Sequence, residues 1–264
     1  MGRETLLGRR LGRHYDELKW LYCELYEGGI GKFRELCEIL ERRSRERDPK
    51  LKRLDRRREE DPDWYKRNDM VGMMMYTDAF AGTLKGVREK LDYVAECGVR
   101  CLHLMPLLDS PAVNNDGGYA VSDFTKVKES LGTMEDLKDL AEECHRRKIS
   151  LCLDFVMNHT SEEHEWARRA RAGEKEYQDR YFFFDNYDIP AQYERTCPQV
   201  FPTTAPGNFT WLEDAQKYVM TTFYPYQWDL NYANPLVFNT MVDYLLNLAN
   251  HGVDVVRIDA VPYI

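Results

Sequence analysis

The chain has 264 residues, of which 43% are hydrophobic and 12% aromatic, and its formal net charge is −8. This length and composition suffice for a sizeable core, in one large domain or two modest ones. After residue 70 the sequence holds 29 acidic against 18 basic side chains, which argues against nucleic acid or another polyanion as a partner.

The chain opens with a segment of helical periodicity. Over residues 15–43 the apolar residues recur at the i, i+3, i+4 and i+7 positions of one helix face. Residues 42–67 are dense in charge, with acidic and basic residues mixed, which favours a solvated helix or linker over an arm that binds nucleic acid. We therefore predict an N-terminal helical segment over residues 1–63.

Short apolar runs alternate with amphipathic helices in the remainder of the chain. This alternation is typical of parallel βα units, in which helices cover buried strands. The predicted strands are residues 71–76, 99–105, 149–156 and 253–258. The predicted helices are residues 84–97, 133–148 and 234–250, the second of them opened by a capping box at Thr133 and Asp136.

A long interval separates the third predicted strand from the helix that follows it. Residues 160–233 are too many for an ordinary loop, so we predict an inserted subdomain there. The interval is rich in aromatic residues, including the run at 181–184. Such a run is more typical of extended core packing than of a ligand platform.

Polar side chains gather at the carboxyl ends of three strands, where parallel barrels carry their functional residues. The fourth strand ends with Arg257, Ile258 and Asp259, and strand alternation puts Arg257 and Asp259 on one face. The guanidinium is expected to lower the pKa of Asp259 and keep it ionised, as a nucleophile requires. A buried structural ion pair is an equally good interpretation of these residues.

The third strand carries Asp154 on its inward face, and Asn158 and His159 follow directly after it. An amide and an imidazole at this edge can hydrogen-bond sugar hydroxyls. His159 and His164 are five residues apart and form no metal-binding motif such as HExxH, so we predict no metal here. A purely structural histidine is the alternative.

The second strand is followed by Asp116, two glycines and Tyr119. Adjacent glycines permit positive φ angles and close backbone approach, and they present the aromatic ring of Tyr119, on which a sugar can stack. Taken alone, Asp-Gly-Gly is also a common turn.

Together and in this order, the segments DGGYAVSDF, DFVMNHTS and GVDVVRIDAV resemble glycoside hydrolase family 13, the alpha-amylase superfamily. The resemblance implies an α/β fold over residues 64–264, the first half (strands one to four) of a (β/α)8 barrel of TIM type, with the inserted subdomain after strand three. Within the family, VGMMMYTDAFAGTLKG, FPTTAPGNFTWLED and TTFYPYQWDLNYANP look most like the amylosucrase branch.

The resemblance implies a role for each matching residue. Asp259 is expected to be the nucleophile that forms a covalent glucosyl-enzyme, and Arg257 to orient it. The expected contacts of the glucosyl unit are Asp116, Tyr119, His159, Phe223 and Gln227. The expected supporting residues are Asp154 and Asn158.

The amylosucrase resemblance implies transfer of glucose from sucrose to an α-1,4-glucan with release of fructose, and sucrose hydrolysis as a side reaction. The alternatives are an alpha-glucosidase, a trehalose synthase or a sucrose phosphorylase of the same superfamily, or a non-catalytic sugar-binding half-barrel. No cofactor is implied. Some members of the superfamily hold calcium, but no cluster of carboxylates calls for a metal here.

The family's acid/base Glu follows a fifth strand, and neither it nor the later His-Asp pair occurs in the 264 residues. We therefore expect this chain alone to be inactive and poorly stable, because a general acid contributes about 10²- to 10⁴-fold and half a barrel leaves strand edges unpaired.

The opening MGRETLLGRRLGR lacks the apolar segment of a secretory signal, and no run of about 18 apolar residues occurs. The seven cysteines form no CxxC pair and are expected to be reduced. We expect a cytoplasmic protein that contacts no membrane. The sequence leaves the oligomeric state open.

Overall fold

A computed structural model of the protein describes residues 6–264. The α-helices are α1 (Leu6–Gly12), α2 (Tyr15–Leu25), α3 (Ile30–Glu46), α4 (Pro49–Glu60), α5 (Thr77–Ala81), α6 (Leu84–Glu89), α7 (Leu91–Glu96), α8 (Met134–Arg146), α9 (Glu165–Arg171), α10 (Lys175–Gln178), α11 (Pro190–Tyr193) and α12 (Pro235–Asn250). The strands are β1 (Val71–Met75), β2 (Val99–Leu104), β3 (Leu108–Asp109), β4 (Asp123–Val127), β5 (Ser150–Val156), β6 (His159–Ser161), β7 (Phe183–Phe184), β8 (Phe209–Leu212), β9 (Lys217–Met220), β10 (Gln227–Asp229) and β11 (Val255–Asp259). Single 3-10 turns lie at Trp64–Lys66, Asp116–Gly118 and Val261–Tyr263. Within the described part of the chain, no helix is both long enough and apolar enough to cross a membrane.

The four predicted strands are confirmed as one parallel sheet in the order β1-β2-β5-β11. Every residue of β5 is buried, because parallel strands are covered on both faces. The sheet register sets Arg257 of β11 directly beside Asp154 of β5. All four strands therefore bring their carboxyl ends to the same edge.

The helix predicted at residues 133–148 is confirmed as α8, and Thr133 and Asp136 form the expected capping box. The single helix predicted at 84–97 is wrong, because Lys90 leaves helical geometry (φ −93°, ψ 5°) and separates α6 from α7. Sequence periodicity misses this break because the buried stripe runs on through it, as Leu84, Val87, Leu91 and Val94.

The interval at 160–233 forms regular structure of its own. Strand β6 pairs antiparallel with β10, and β7, β9 and β8 form a three-stranded antiparallel sheet. We call the first pair, His159–Ser161 with Gln227–Asp229, the ribbon. Tyr181 and Phe183 pack edge-on against the buried Trp228, with ring centroids 5.6 and 5.7 Å away. The aromatic run is core packing, as predicted.

Two compact units divide the chain. One comprises the described residues up to Glu60 together with Tyr232–Asn250, and the other comprises Asp61–Asn231 with His251–Ile264. In the first unit, Tyr22 donates a hydrogen bond to Asn239 of α12 (3.0 Å), and the guanidinium of Arg43 pairs with Asp243 (2.6 Å). Helix α12 thus packs with the N-terminal helices. The division into residues 1–63 and 64–264 stays a prediction.

Candidate active site

The predicted charged residues meet where β5 and β11 end. The Nη1 atom of Arg257 lies 2.6 Å from Asp154 Oδ1 and 2.8 Å from Asp259 Oδ1, so one guanidinium bridges two carboxylates. The Asp154 side chain is fully buried, and half of the Arg257 side chain is exposed. We call Asp154, Arg257 and Asp259 the charged cluster.

The pKa of Asp259 is raised, not lowered as the sequence led us to expect. Burial of the carboxyl is the largest cause, and the nearby charge of Asp154 acts in the same direction. The attraction and hydrogen bond of Arg257 lower the pKa but do not outweigh burial. The expectation was wrong because it counted the neighbouring charge and left out desolvation.

Tyr119 lies over the charged cluster. Its hydroxyl accepts a hydrogen bond from Arg257 Nη1 at 3.2 Å, and the guanidinium lies 5.8 Å from the ring centroid. Burial and the charge of Asp154 raise the pKa of the phenol to about 12. Tyr119 is therefore a neutral donor and acceptor beside Asp259.

The Asp-Gly-Gly turn holds Asp116 and Tyr119 at this edge. Gly117 has a φ of +66°, and a Cβ there would lie 2.9 Å from the hydroxyl of Tyr76. Gly118 has a φ of +99°, with Pro106 as close as 3.0 Å to such a Cβ. Both positions therefore favour glycine over residues with a side chain. The two glycines allow the tight turn that holds Asp116 and Tyr119 at this edge.

Gln227 and His159 face each other on the ribbon. The Gln227 amide donates to Asp116 Oδ2 at 3.1 Å, and its oxygen accepts from the backbone N–H of Tyr224 at 3.0 Å, which orients the amide. His159 Nε2 lies 3.2 Å from the carbonyl oxygen of Tyr119. Burial lowers the pKa of His159 to about 4 and raises that of Asp116. His159 is thus neutral at ordinary pH.

Asn158 supports the ribbon instead of facing the charged cluster. Its carbonyl accepts from the N–H of Leu230 at 2.8 Å, and its side chain hydrogen-bonds Asp229. Asp229 also accepts hydrogen bonds from the backbone N–H and the hydroxyl of Thr222. Burial raises the pKa of Asp229 to about 6.

Phe223 completes the predicted set. Its ring centroid lies 5.2 Å from that of His159 and 5.3 Å from that of Tyr263. All nine predicted residues belong to the second compact unit. Seven of them form one connected network, which is linked through Arg257, Tyr119 and Gln227. Phe223 adjoins this network through His159. Asn158 contacts it through the His159 ring at 3.3 Å.

Sequence reasoning missed three residues that bear on the site. His103 Nε2 lies 3.0 Å from Asp154 Oδ2, and Tyr76 adjoins Gly117 directly after β1. The strand-end rule, applied to β1 and β2 as it was to the others, would have found both. The strand-end rule does not find Asp229, because the place of Asp229 beside the site depends on the pairing of β6 with β10.

Among residues 6–264, no group of three or more His, Cys, Asp or Glu side chains is arranged to hold a metal ion. The site offers instead a carboxylate beside a guanidinium, a neutral phenol, a neutral imidazole and an oriented amide. Such groups can hydrogen-bond the hydroxyls of a sugar while Asp259 approaches a carbon atom.

Comparisons with known proteins show the family of the chain. Residues 55–264 match the family model for the alpha amylase catalytic domain. The trehalose synthase/amylase TreS of Mycolicibacterium smegmatis is 40% identical over 184 residues, which cover 69% of this chain and 30% of that protein. The alpha-glucosidase of Apis mellifera is 34% identical over 210 residues, covering 75% of this chain and 36% of that one.

Several solved protein structures also resemble this chain. An isomaltulose synthase mutant from Erwinia rhapontici, in complex with its natural substrate sucrose, matches with a TM-score of 0.66 and 31% identity over 76% of this chain and 36% of that chain. The trehalulose synthase MutB from Pseudomonas mesoacidophila matches with a TM-score of 0.65 and 30% identity, over 75% of this chain and 35% of that chain. The predicted α/β fold, the first four strands of a TIM-type barrel, is confirmed.

The chain spans about a third of the length of these relatives. The family match over residues 55–264 covers most of the chain, and several relatives exceed 30% identity over more than two thirds of it. The chain therefore belongs to the alpha-amylase family, glycoside hydrolase family 13, through a part of its catalytic domain.

Proposed function

We propose that the protein acts on α-glucosidic bonds by a retaining mechanism in which Asp259 is the nucleophile. The observation that carries this proposal is the position of Asp259 at the end of β11, paired with Arg257 at 2.8 Å and adjacent to Tyr119. Asp116, His159 and Gln227 join the same network. This arrangement orients the Asp259 carboxylate and places uncharged hydrogen-bonding groups around it.

In the proposed reaction an Asp259 oxygen attacks the anomeric carbon of a glucosyl unit. The bond from that carbon to the leaving oxygen breaks, and an ester to Asp259 forms. Arg257 holds the carboxylate in line, and the amide of Gln227 keeps Asp116 turned towards the sugar. Water or another sugar hydroxyl then attacks the ester. A second carboxyl group, in its protonated form, must donate a proton to the leaving oxygen, and we assign that role to none of the 264 residues.

The substrate we propose is an α-glucosyl disaccharide such as maltose, trehalose or sucrose. Relatives named trehalose synthase, alpha-glucosidase and maltase support it, as does the sucrose-bound isomaltulose synthase. These relatives favour an alpha-glucosidase or a trehalose synthase over an amylosucrase. Transfer of glucose from sucrose to an α-glucan is the second candidate, supported by the segment TTFYPYQWDLNYANP, in which Gln227 contacts Asp116.

Trapping of the glucosyl-enzyme tests the nucleophile directly. In 5-fluoro-α-glucosyl fluoride the leaving group is fluoride, which departs with the bonding electrons and needs no general acid. We expect the purified chain to gain the mass of one fluoroglucosyl group, located by peptide mapping at Asp259. Asp259→Asn should abolish the adduct, and Asp139→Asn, at an exposed carboxylate paired with Arg88, should keep it. An adduct on another residue, or none in the folded chain, would refute the proposal.

Product analysis separates the candidate reactions. α-Glucosyl fluoride, whose fluoride departs without a general acid, is supplied to the purified chain together with glucose or an α-glucan as acceptor, and the products are separated by anion-exchange chromatography. Glucose released by water indicates a glucosidase, trehalose formed on the glucose acceptor indicates a trehalose synthase, and a lengthened glucan indicates an amylosucrase. The first two outcomes agree with the proposed substrate class, and the third supports the second candidate.

A further inference from the structure

Asp154 is held through both of its carboxylate oxygens. Oδ1 accepts a hydrogen bond from Nη1 of Arg257 at 2.6 Å, and Oδ2 lies 3.0 Å from Nε2 of His103. The Asp154 side chain is fully buried, and that of His103 is 17% exposed. The imidazole therefore meets a carboxylate that has no exposed surface, while the proposed glucosyl transfer makes no use of it.

The sheet register brings His103 to Asp154. Strand β2 pairs with β5 so that His103 lies beside Cys152, two residues before Asp154 and on the same face. On the other side of β5, Arg257 lies directly beside Asp154. Three adjacent strands therefore contribute one row of polar side chains to a single face of the sheet, and the row ends at Asp259.

The contact determines where the imidazole proton lies. A carboxylate only accepts hydrogen bonds, so His103 carries a hydrogen on Nε2 and donates it to Oδ2 of Asp154. That hydrogen points at a buried group and not at a leaving group on a substrate. The torsion about the Cβ–Cγ bond of an aspartate has broad minima, so a single hydrogen bond leaves it loosely defined. Donors on both oxygens fix the plane of the Asp154 carboxylate.

The plane of this carboxylate matters because three acceptors share one nitrogen of Arg257. Nη1 carries two hydrogens, and it lies 2.6 Å from Asp154 Oδ1, 2.8 Å from Asp259 Oδ1 and 3.2 Å from the Tyr119 hydroxyl. The direction of the short contact with Asp154 therefore decides how the guanidinium divides its remaining hydrogen between Asp259 and Tyr119. If the Asp154 carboxylate rotated, it would turn Arg257 away from Asp259.

We propose that His103 is a positioning residue of the active site. Its imidazole fixes the plane of Asp154, and Asp154 in turn aims the guanidinium of Arg257. Arg257 then holds the Asp259 carboxylate in the direction of the anomeric carbon. This role rests on the proposed function, because it requires Asp259 to be the nucleophile. It requires no contact between His103 and the sugar.

The rate of trapping by 5-fluoro-α-glucosyl fluoride tests this role in the 264-residue chain. Its dependence on reagent concentration separates the limiting rate of ester formation from the half-saturating concentration. We expect His103→Leu to lower the limiting rate about 10- to 100-fold, because a small misplacement of a reacting group has such a cost, and to leave the half-saturating concentration unchanged. His103→Gln keeps an N–H near the position of Nε2 and should react at close to the parent rate. His14→Leu, at an exposed histidine, is the control.

A double variant shows whether His103 acts through Asp154. Asp154→Asn alone should also slow trapping, because it weakens the hold on Arg257. Once Asp154→Asn is present, adding His103→Leu should slow trapping by less than about twofold, since the two changes break the same chain of contacts. Urea unfolding shows that each variant is folded.

Four results would overturn this role of His103. They are independent, fully multiplied effects of His103→Leu and Asp154→Asn, normal trapping by His103→Leu, an equal loss in folded His103→Gln, and a change confined to the half-saturating concentration. The last of these would make His103 a residue that binds the sugar.

Carbon-13 NMR of the aspartate carboxyl groups tests the same role without any substrate. The signal of Asp259 is assigned by its loss in Asp259→Asn, and its titration gives the pKa. Arg257 opposes the rise that burial causes in this pKa, so His103→Leu should raise the pKa further and His103→Gln should not. This rise, with no adduct in the parent chain, would refute only the proposed function. An unchanged pKa in His103→Leu would refute the role of His103, whether or not the parent chain is trapped.

Discussion

The protein buries titratable groups in two ways in neighbouring regions. In the charged cluster, Asp154 is fully buried and its charge is balanced by Arg257 at 2.6 Å. In the inserted subdomain, His159, His164 and Asp229 are buried and have pKa values shifted towards their neutral forms. We call these last three the neutral cluster. In the charged cluster Arg257 opposes the rise that burial causes in the pKa of Asp259, whereas hydrogen bonds alone oppose the rise that burial causes in the pKa of Asp229.

The difference follows from how each region is built. Parallel strands in register place Arg257 directly beside Asp154, so opposite charges meet without any loop. The subdomain holds its groups through hydrogen bonds from uncharged donors, such as that from the N–H of Trp166 to His164 and those from Thr222 to Asp229. The two regions should therefore respond differently to pH and to substitution.

The largest expected effect is at His164. Burial lowers its pKa to about 4 in the folded chain, against 6.5 when unfolded. Between these values the unfolded chain binds more protons, so stability is complete above about pH 6.5 and falls by roughly 3 kcal/mol as the pH drops to about 4. His164→Asn can still accept from the N–H of Trp166 and should remove this residue's share of the slope in urea unfolding, while the share of His159, whose pKa is also about 4, remains. His14→Asn, at an exposed histidine, should leave the slope unchanged.

Asp229 should respond in the opposite direction. Burial raises the pKa of Asp229 to about 6 in the folded chain, against an ordinary value of 3.8 in the unfolded chain, so the folded chain binds more protons between these values. Stability contributed by the neutral carboxyl is complete below about pH 4 and declines by somewhat under 3 kcal/mol as the pH rises to about 6. Asp229→Asn keeps the neutral form at every pH. Urea unfolding of this variant should show a gain over the parent chain that grows from pH 4 to 6; a constant difference would contradict the assignment.

The charged cluster was predictable because a strand has a period of two. Arg257 and Asp259 share one face by alternation, and Asp154 shares parity with the inward face of β5, so local sequence sufficed. The same rule applied to β2 gives His103. The direction of the pKa shift of Asp259 could not be predicted from the sequence, because it depends on how much protein surrounds the carboxyl group.

The neutral cluster could not be derived in this way. Gln227 contacts His159 across 68 positions of sequence, and the contact exists because β10 pairs with β6 inside the insertion. Periodicity carries no information about which two short strands of an insertion will pair. The resemblance supplied His159 and Gln227 as members of a site, and the structure supplied Asp229, which no motif had singled out.

The smallest expected effect is at Arg257, and it tests whether pairing is what stabilises the charged cluster. Arg257→Met removes one of the two side chains that contact the Asp154 carboxylate, the other being His103 at 3.0 Å, and should cost about 2–3 kcal/mol. This is less than the roughly 3–5 kcal/mol of a fully buried pair, because half of the Arg257 side chain is exposed. Adding Asp154→Asn removes the buried carboxylate that has lost its guanidinium and should restore most of the loss in urea unfolding. Arg88→Met, in an exposed pair, should cost under about 1 kcal/mol. If the double variant is no more stable than Arg257→Met, Asp154 was not held by charge pairing, and packing of the arginine side chain was the stabilising element.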